Sequence, residues 1–244
     1  MVGVVEQAQF VVITVLVGTL HPLGAGDNSP LAAHSGMLNV FGFMSCAMFG
    51  LTDAGSSTVG TYLGAGKPDA ARRAGKILLM MMLAMASVVA VLFFASHAEI
   101  GHLFSKDPAV IKLSSKLSMI LGIGYTLLSL AFACFGTLQG QGRPHIAAAS
   151  MFVGLWGVSL PMAYLFGFPL GNGLVGVWWG LVVGYAAMTS VMIAFVLRSP
   201  WARLSLEAQK RSEKEVSTAD VGDEEDGGAS SVAASPIIGF PTSK

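Results

Sequence analysis

The chain has 244 residues, of which 53% are hydrophobic and only 11% charged, with a mean hydropathy of +0.67. An ordinary soluble domain carries about 25% charged residues, so a soluble globular protein is excluded. Fourteen acids and fourteen lysines and arginines balance to zero, but eight of the acids and six of the cations fall in the last 47 residues, which leaves the rest of the chain almost without charge.

Six apolar segments, near residues 2–20, 34–61, 77–97, 115–139, 146–168 and 174–197, each hold the roughly 20 residues needed to cross about 30 Å of hydrocarbon. They predict an all-α polytopic membrane protein with six transmembrane helices in one bundle. The first segment carries Glu6 in VVEQAQFVVITVLVG, beside Gln7 and Gln9. A carboxylate at spanning depth costs at least about 2.5–3.5 kcal/mol on insertion scales, and such groups face cavities, relay protons or bind cations. The competing expectation puts Glu6 at the cytoplasmic interface.

The second segment follows HPLGAGDNSPLAAH, a loop without lysine or arginine in which His21 and His34 are expected to lie. Asn39 in this segment either hydrogen-bonds a neighbouring helix or contacts a substrate. Asp53 stands in GLTDAGSST among Thr52, Ser56, Ser57 and Thr58, either lining a wet cavity or at a solvated helix end. A serine hydrolase built on Ser56 and His34 is excluded, because the 22 residues between them span about 33 Å of helix.

Next comes LGAGKPDAARRAG, expected as a basic loop with Lys67, Arg72, Arg73 and Lys76. Its glycines resemble a phosphate loop only faintly, without a preceding strand or a Ser/Thr after the lysine. Met80, Met81 and Met82 in the third segment, and the pair Trp178-Trp179 in the sixth, are expected to face lipid or the interface. Asp107-Pro108 reads as the cap and first turn of a short interfacial helix. Glycines recur every four residues at Gly60/Gly64, Gly136/Gly140 and Gly176/Gly180/Gly184, a spacing that lets helix backbones approach closely. Cys46 and Cys134 lie in apolar segments and are expected as buried free thiols. With no CxxC, no HExxH and no Cys/His cluster, no metal or cofactor is expected.

Lys67, Arg72, Arg73, Lys76, Arg143, Arg198 and Arg203 follow even-numbered segments, against Lys106, Lys112 and Lys116 on the other side. The positive-inside rule then puts both termini in the cytoplasm. Beyond the bundle of residues 1–201, residues 202–244 are acidic and rich in Gly, Ser and Ala. Such a segment buries too little surface to offset its ordering entropy, so a disordered cytoplasmic tail is expected, with Leu204 to Arg211 as a basic amphipathic start on the membrane surface.

Four stretches resemble one known family in order and spacing: VGTYLGAGKPDAARRAG, LAAHSGMLN with Asn39, GTLQGQGRPHIAA, and LPMAYLFGFPLGNGLVGVWWG followed by Arg198-Ser199-Pro200-Trp201. They are similar to the C-terminal six-helix half of multidrug and toxic compound extrusion (MATE) transporters. The resemblance implies half of a twelve-helix antiporter that exports organic cations, drugs or toxic metabolites in exchange for protons or sodium ions. It implies no enzyme activity, places Glu6 at the family's ion-coupling acid, and puts Asn39 and Asp53 in the substrate cavity. It also implies a multi-pass protein of the plasma membrane or a vacuolar or other endomembrane. Its partners would be the lipid bilayer, a small-molecule substrate, a proton or sodium ion, and a missing N-terminal half or a second copy, with no nucleic acid. The chain departs from the family at Thr58, where an arginine is common, at Leu128, near a frequent acid, and at Met188, where a glutamine is frequent. Two alternatives remain at this point. A lipid-linked oligosaccharide flippase of the related superfamily would need a strongly cationic cavity, and no spanning lysine or arginine occurs. The other is a membrane remnant that does not transport.

Overall fold

A computed structural model describes residues 2–20 and 28–226, with side chains over residues 6–20 and 28–213. The elements in order are α1 (Val2–Gly18), α2 (Ser29–Gly64), α3 (Pro68–Ala95), a 3-10 turn (Ile100–Leu103), α4 (Pro108–Gly140), α5 (Pro144–Phe152), a π-helical stretch (Val153–Ser159), α6 (Leu160–Gly167), α7 (Gly173–Leu197) and α8 (Trp201–Asp226). Helix is the expected result in lipid, where backbone groups find no water and must pair within their own segment. Five of the described helices are long and apolar enough to span a membrane, counting α5, the π stretch and α6 as one rod over Pro144–Gly167. α1 is apolar but, at 17 residues, shorter than that length.

Prolines set several starts. Pro68 and Asp69 open α3 directly after the tight turn at Gly66, whose φ is +72°. The basic stretch expected as a loop to residue 76 is therefore mostly the first turns of α3. Pro is preorganised for N1 and Asp suits the positive helix end, so the helix begins well before the apolar run that starts at Ile77. Asp107 caps the spanning helix α4 itself, rather than a separate interfacial helix, and accepts a 2.9 Å bond from the Ala109 amide.

α4 is the most buried long helix and packs against α2, α3 and α7. The glycine rows make these contacts. A Cβ on Gly140 would collide with the Ser56 carbonyl, and one on Gly136 would lie 2.8 Å from the Thr52 carbonyl. Gly176, Gly180 and Gly184 of α7 lie in the same way against Phe166, Ala163 and Ser159 of the Pro144–Gly167 rod. Pro161 explains why that rod is not regular. It has no N–H, and its ring crowds the carbonyl one turn back, so the preceding residues widen into the π stretch.

α8 departs from the expected disordered tail from residue 202. Trp201, Leu204 and Ala208 form an apolar stripe that packs on Val59, Leu63 and Ala71 at the ends of α2 and α3. Ser205 Oγ donates to the Leu63 carbonyl at 3.0 Å, and Ser199 Oγ donates to Gln141 Oε1 at 3.0 Å. The polar composition is real, but the first turns of α8 have a protein surface to cover. Residues 227–244 of the expected tail lie outside the described residues, as do His21 and Asp27.

Candidate functional site

Glu6 is 3% exposed. Its depth follows from register: α1 and α2 run antiparallel, with Phe10 against Phe41 and Thr14 bonded to His34. Extending that register sets Glu6 level with about residue 45, the middle of α2, which runs over 36 residues and about 54 Å. This places Glu6 opposite the middle of α2. Among the described residues the single ion pair is Arg203–Glu207, so no cation neutralises Glu6.

One turn further along α1, Gln9 Nε2 donates to Ser159 Oγ at 2.9 Å and to the Leu155 carbonyl at 3.2 Å. Both acceptors belong to the π stretch. Gln9 Oε1 is buried without a partner. Gln9 thus joins α1 to the π stretch through Ser159 and Leu155, with buried Glu6 one turn back on α1. Ser159 was invisible to sequence reasoning as a site residue; the available signal was Pro161, which distorts the helix beside a glutamine-bearing partner.

About one and a half turns from Gln9 along α1, at Thr14, a second polar group corrects the expected place of His34. It lies within α2, fully buried, and not in an external loop. Trp178 Nε1 donates to His34 Nδ1 at 3.2 Å. The indole is a donor only, so Nδ1 accepts. Thr14 Oγ1 gives its proton to the Phe10 carbonyl at 2.8 Å, so His34 Nε2–H donates to Thr14 Oγ1 at 3.1 Å. The three residues tie α1, α2 and α7 together through one neutral tautomer. Trp178 is correspondingly buried while Trp179 is exposed, and Met82 is buried while Met80 and Met81 are exposed. Only one member of each group departs from the lipid-facing expectation.

Asn39 and Asp53 are both exposed. Asn39 Nδ2 donates to the Ser35 carbonyl of its own helix at 3.0 Å. At helical spacing the two share a stripe on α2 with Ser35, Cys46 and Ser57, all exposed. Cys46 is therefore an exposed thiol, contrary to expectation, while Cys134 is buried as expected. Asp53 lies about eight residues beyond the level of Glu6, or about 12 Å along the axis. The structure does not gather the three candidate residues into one cluster. Leu128 and Met188, at two of the family's polar positions, are buried in the apolar core. No cluster of metal-ligating side chains occurs among the described residues.

Helices of this length and hydropathy, packed around a glycine-lined core, define an all-α polytopic integral membrane protein. The MatE family profile matches residues 2–165, and the chain belongs to that family. Multidrug and toxin extrusion protein 1 of Xenopus tropicalis is 30% identical over 167 residues, covering 68% of this chain and 29% of that protein. Multidrug resistance protein NorM of Burkholderia vietnamiensis is 33% identical over 193 residues, covering 77% of this chain and 40% of that protein. Among solved structures, the eukaryotic MATE transporter AtDTX14 superposes with a TM-score of 0.76 at 23% identity, over 83% of this chain and 44% of its own. The MATE transporter ClbM in complex with Rb+ gives 0.76 at 18% identity, over 85% and 47%. The chain thus spans less than half the length of each of these proteins.

Proposed function

We propose that this bundle is one half of a secondary active antiporter that exports organic cations, drugs or toxic metabolites in exchange for protons or sodium ions. The observation that carries the proposal is Glu6, a carboxylate buried opposite the middle of α2 with no cationic partner among the described residues. A charge in that position is costly unless something mobile neutralises it. A proton or a sodium ion would do so, and an incoming cationic substrate would displace it. The orphaned Gln9 Oε1 supports this reading, because it offers a second oxygen to a cation or a water beside the carboxylate.

The exposed stripe of Asn39 and Asp53 on α2 suits a wall of the substrate cavity, closed by a second six-helix half or a second copy. Two bundles rocking about a site near the midplane is the general scheme for such carriers. Both termini would face the cytoplasm, since Lys67, Arg143 and Arg198 sit at the end of the bundle that α8 covers. The test is proton release. Tetraethylammonium or ethidium added to the paired transporter in weakly buffered detergent should release protons in the wild type and none in Glu6→Gln. Equal release from both would remove Glu6 from the exchange.

A further inference from the structure

We propose that the crevice between α3, α4, α7 and the start of α8 holds an anionic phospholipid, with its phosphate on Arg72 and Lys76. Those two residues stand four apart on one face of α3 and line the mouth, where like charges at that spacing repel each other. Neither forms an ion pair with a described residue, although Asp69 lies less than one turn before Arg72. An anion between them would remove the repulsion. Below the cations the walls turn apolar through Leu79, Ala133, Cys134 and Val196. Trp201 closes the side, and indoles are the side chains that favour the boundary between headgroups and hydrocarbon.

Size decides against a drug-like occupant. The crevice measures about 100 Å³, while pockets for drug-sized ligands run from about 300 to 1,000 Å³. A narrow apolar slot beneath paired cations takes only the first few methylenes of an acyl chain under a phosphate, the rest of the lipid lying outside it along the bundle, as at other basic interhelical pockets that take lipid headgroups. The packing keeps the slot narrow: a Cβ on Gly75 would stand 3.2 Å from Thr137 Cγ2 and 3.5 Å from the Trp201 ring. The occupant also has a structural consequence, because Trp201 begins α8. A bound lipid would bridge α3 and the α7–α8 junction.

The experiment is native mass spectrometry of the chain purified in detergent and offered equimolar phosphatidylglycerol and phosphatidylcholine. The wild type should retain phosphatidylglycerol with roughly thirtyfold preference, the scale expected of two juxtamembrane cations at about 1 kcal/mol each. Arg72→Gln/Lys76→Gln should bring the preference close to parity. Lys67→Gln/Arg73→Gln removes two cations from the same end, with Arg73 turned to the groove between α2 and α3, and should leave it intact. Dibrominated phosphatidylglycerol should quench tryptophan emission in the wild type, and Trp201→Phe should abolish that component. Equal retention of the two lipids, or an equal loss in the control pair, would overturn the site. So would displacement by millimolar inorganic phosphate, which would indicate a free-phosphate site.

Discussion

Replacing Gly180 with alanine should separate α7 from α6 and lower the stability of the bundle. A Cβ at that position would fall well inside van der Waals contact with backbone atoms of Ala163 and Met162. Backbone cannot rotate aside as a side-chain end can, so the helices themselves must move apart. Overpacking typically costs about 1–3 kcal/mol, and a backbone collision belongs at the upper end, near 3 kcal/mol. At about 1.4 kcal/mol per tenfold, that is a loss of roughly a hundredfold in the folded-to-unfolded ratio. Gly50→Ala is the control: nothing lies within 4 Å of a Cβ there, and alanine improves helix propensity by up to about 1 kcal/mol. A thiol-reactive fluorophore can follow unfolding through the buried Cys134 once the exposed Cys46 is replaced by serine. Gly180→Ala should melt several degrees below the parent and Gly50→Ala at or above it. A Gly180→Ala protein melting with the parent would refute the packing argument.

Two further outcomes follow from the same geometry. Trp178→Phe keeps an aromatic ring but leaves His34 Nδ1 buried without its donor, which should destabilise by about 1–3 kcal/mol. His34→Leu should couple to it in a double-mutant cycle, and additive effects would deny the bond. For topology, Lys67→Cys and Asp27→Cys in a background free of other thiols should label from opposite sides of the membrane, position 27 from outside. Labelling of position 67 from outside would invert the orientation and with it the proposed direction of transport.

Most of the fold was legible because apolar runs of membrane length can hardly form anything but helices. The glycine rows at four-residue spacing likewise anticipated the close approach of α2 to α4 and of α7 to α6. Helix ends were less legible, since hydropathy reports where the membrane lies and not where the helix stops. Thus Arg72 and Arg73 read as loop although Pro68 had already begun α3. His34 was misplaced because its partner Trp178 lies 144 residues away, beyond any local pattern. α8 read as a polar tail, disordered after an amphipathic start at Leu204 to Arg211 on the membrane surface, whereas those first turns pack on Val59, Leu63 and Ala71 of the bundle. In the site, Glu6 stood out in the sequence as a charge in an apolar run. Ser159 did not, because its role depends on the π widening ahead of Pro161.

The central claim is that Glu6 exchanges the coupling ion, and uphill transport tests it most directly. Proteoliposomes would contain the bundle with its other half, at matched protein, loaded with tetraethylammonium under imposed proton and sodium gradients. The wild type should move substrate against its own gradient on at least one of them. Glu6→Gln keeps shape and hydrogen bonding but removes the charge, and should abolish uphill movement on both. Asp53→Asn should reduce it less, because that carboxylate is exposed on α2 and about 12 Å from the level of Glu6. Wild-type uphill transport in Glu6→Gln beside an inactive Asp53→Asn would contradict the account and move the ion site to α2.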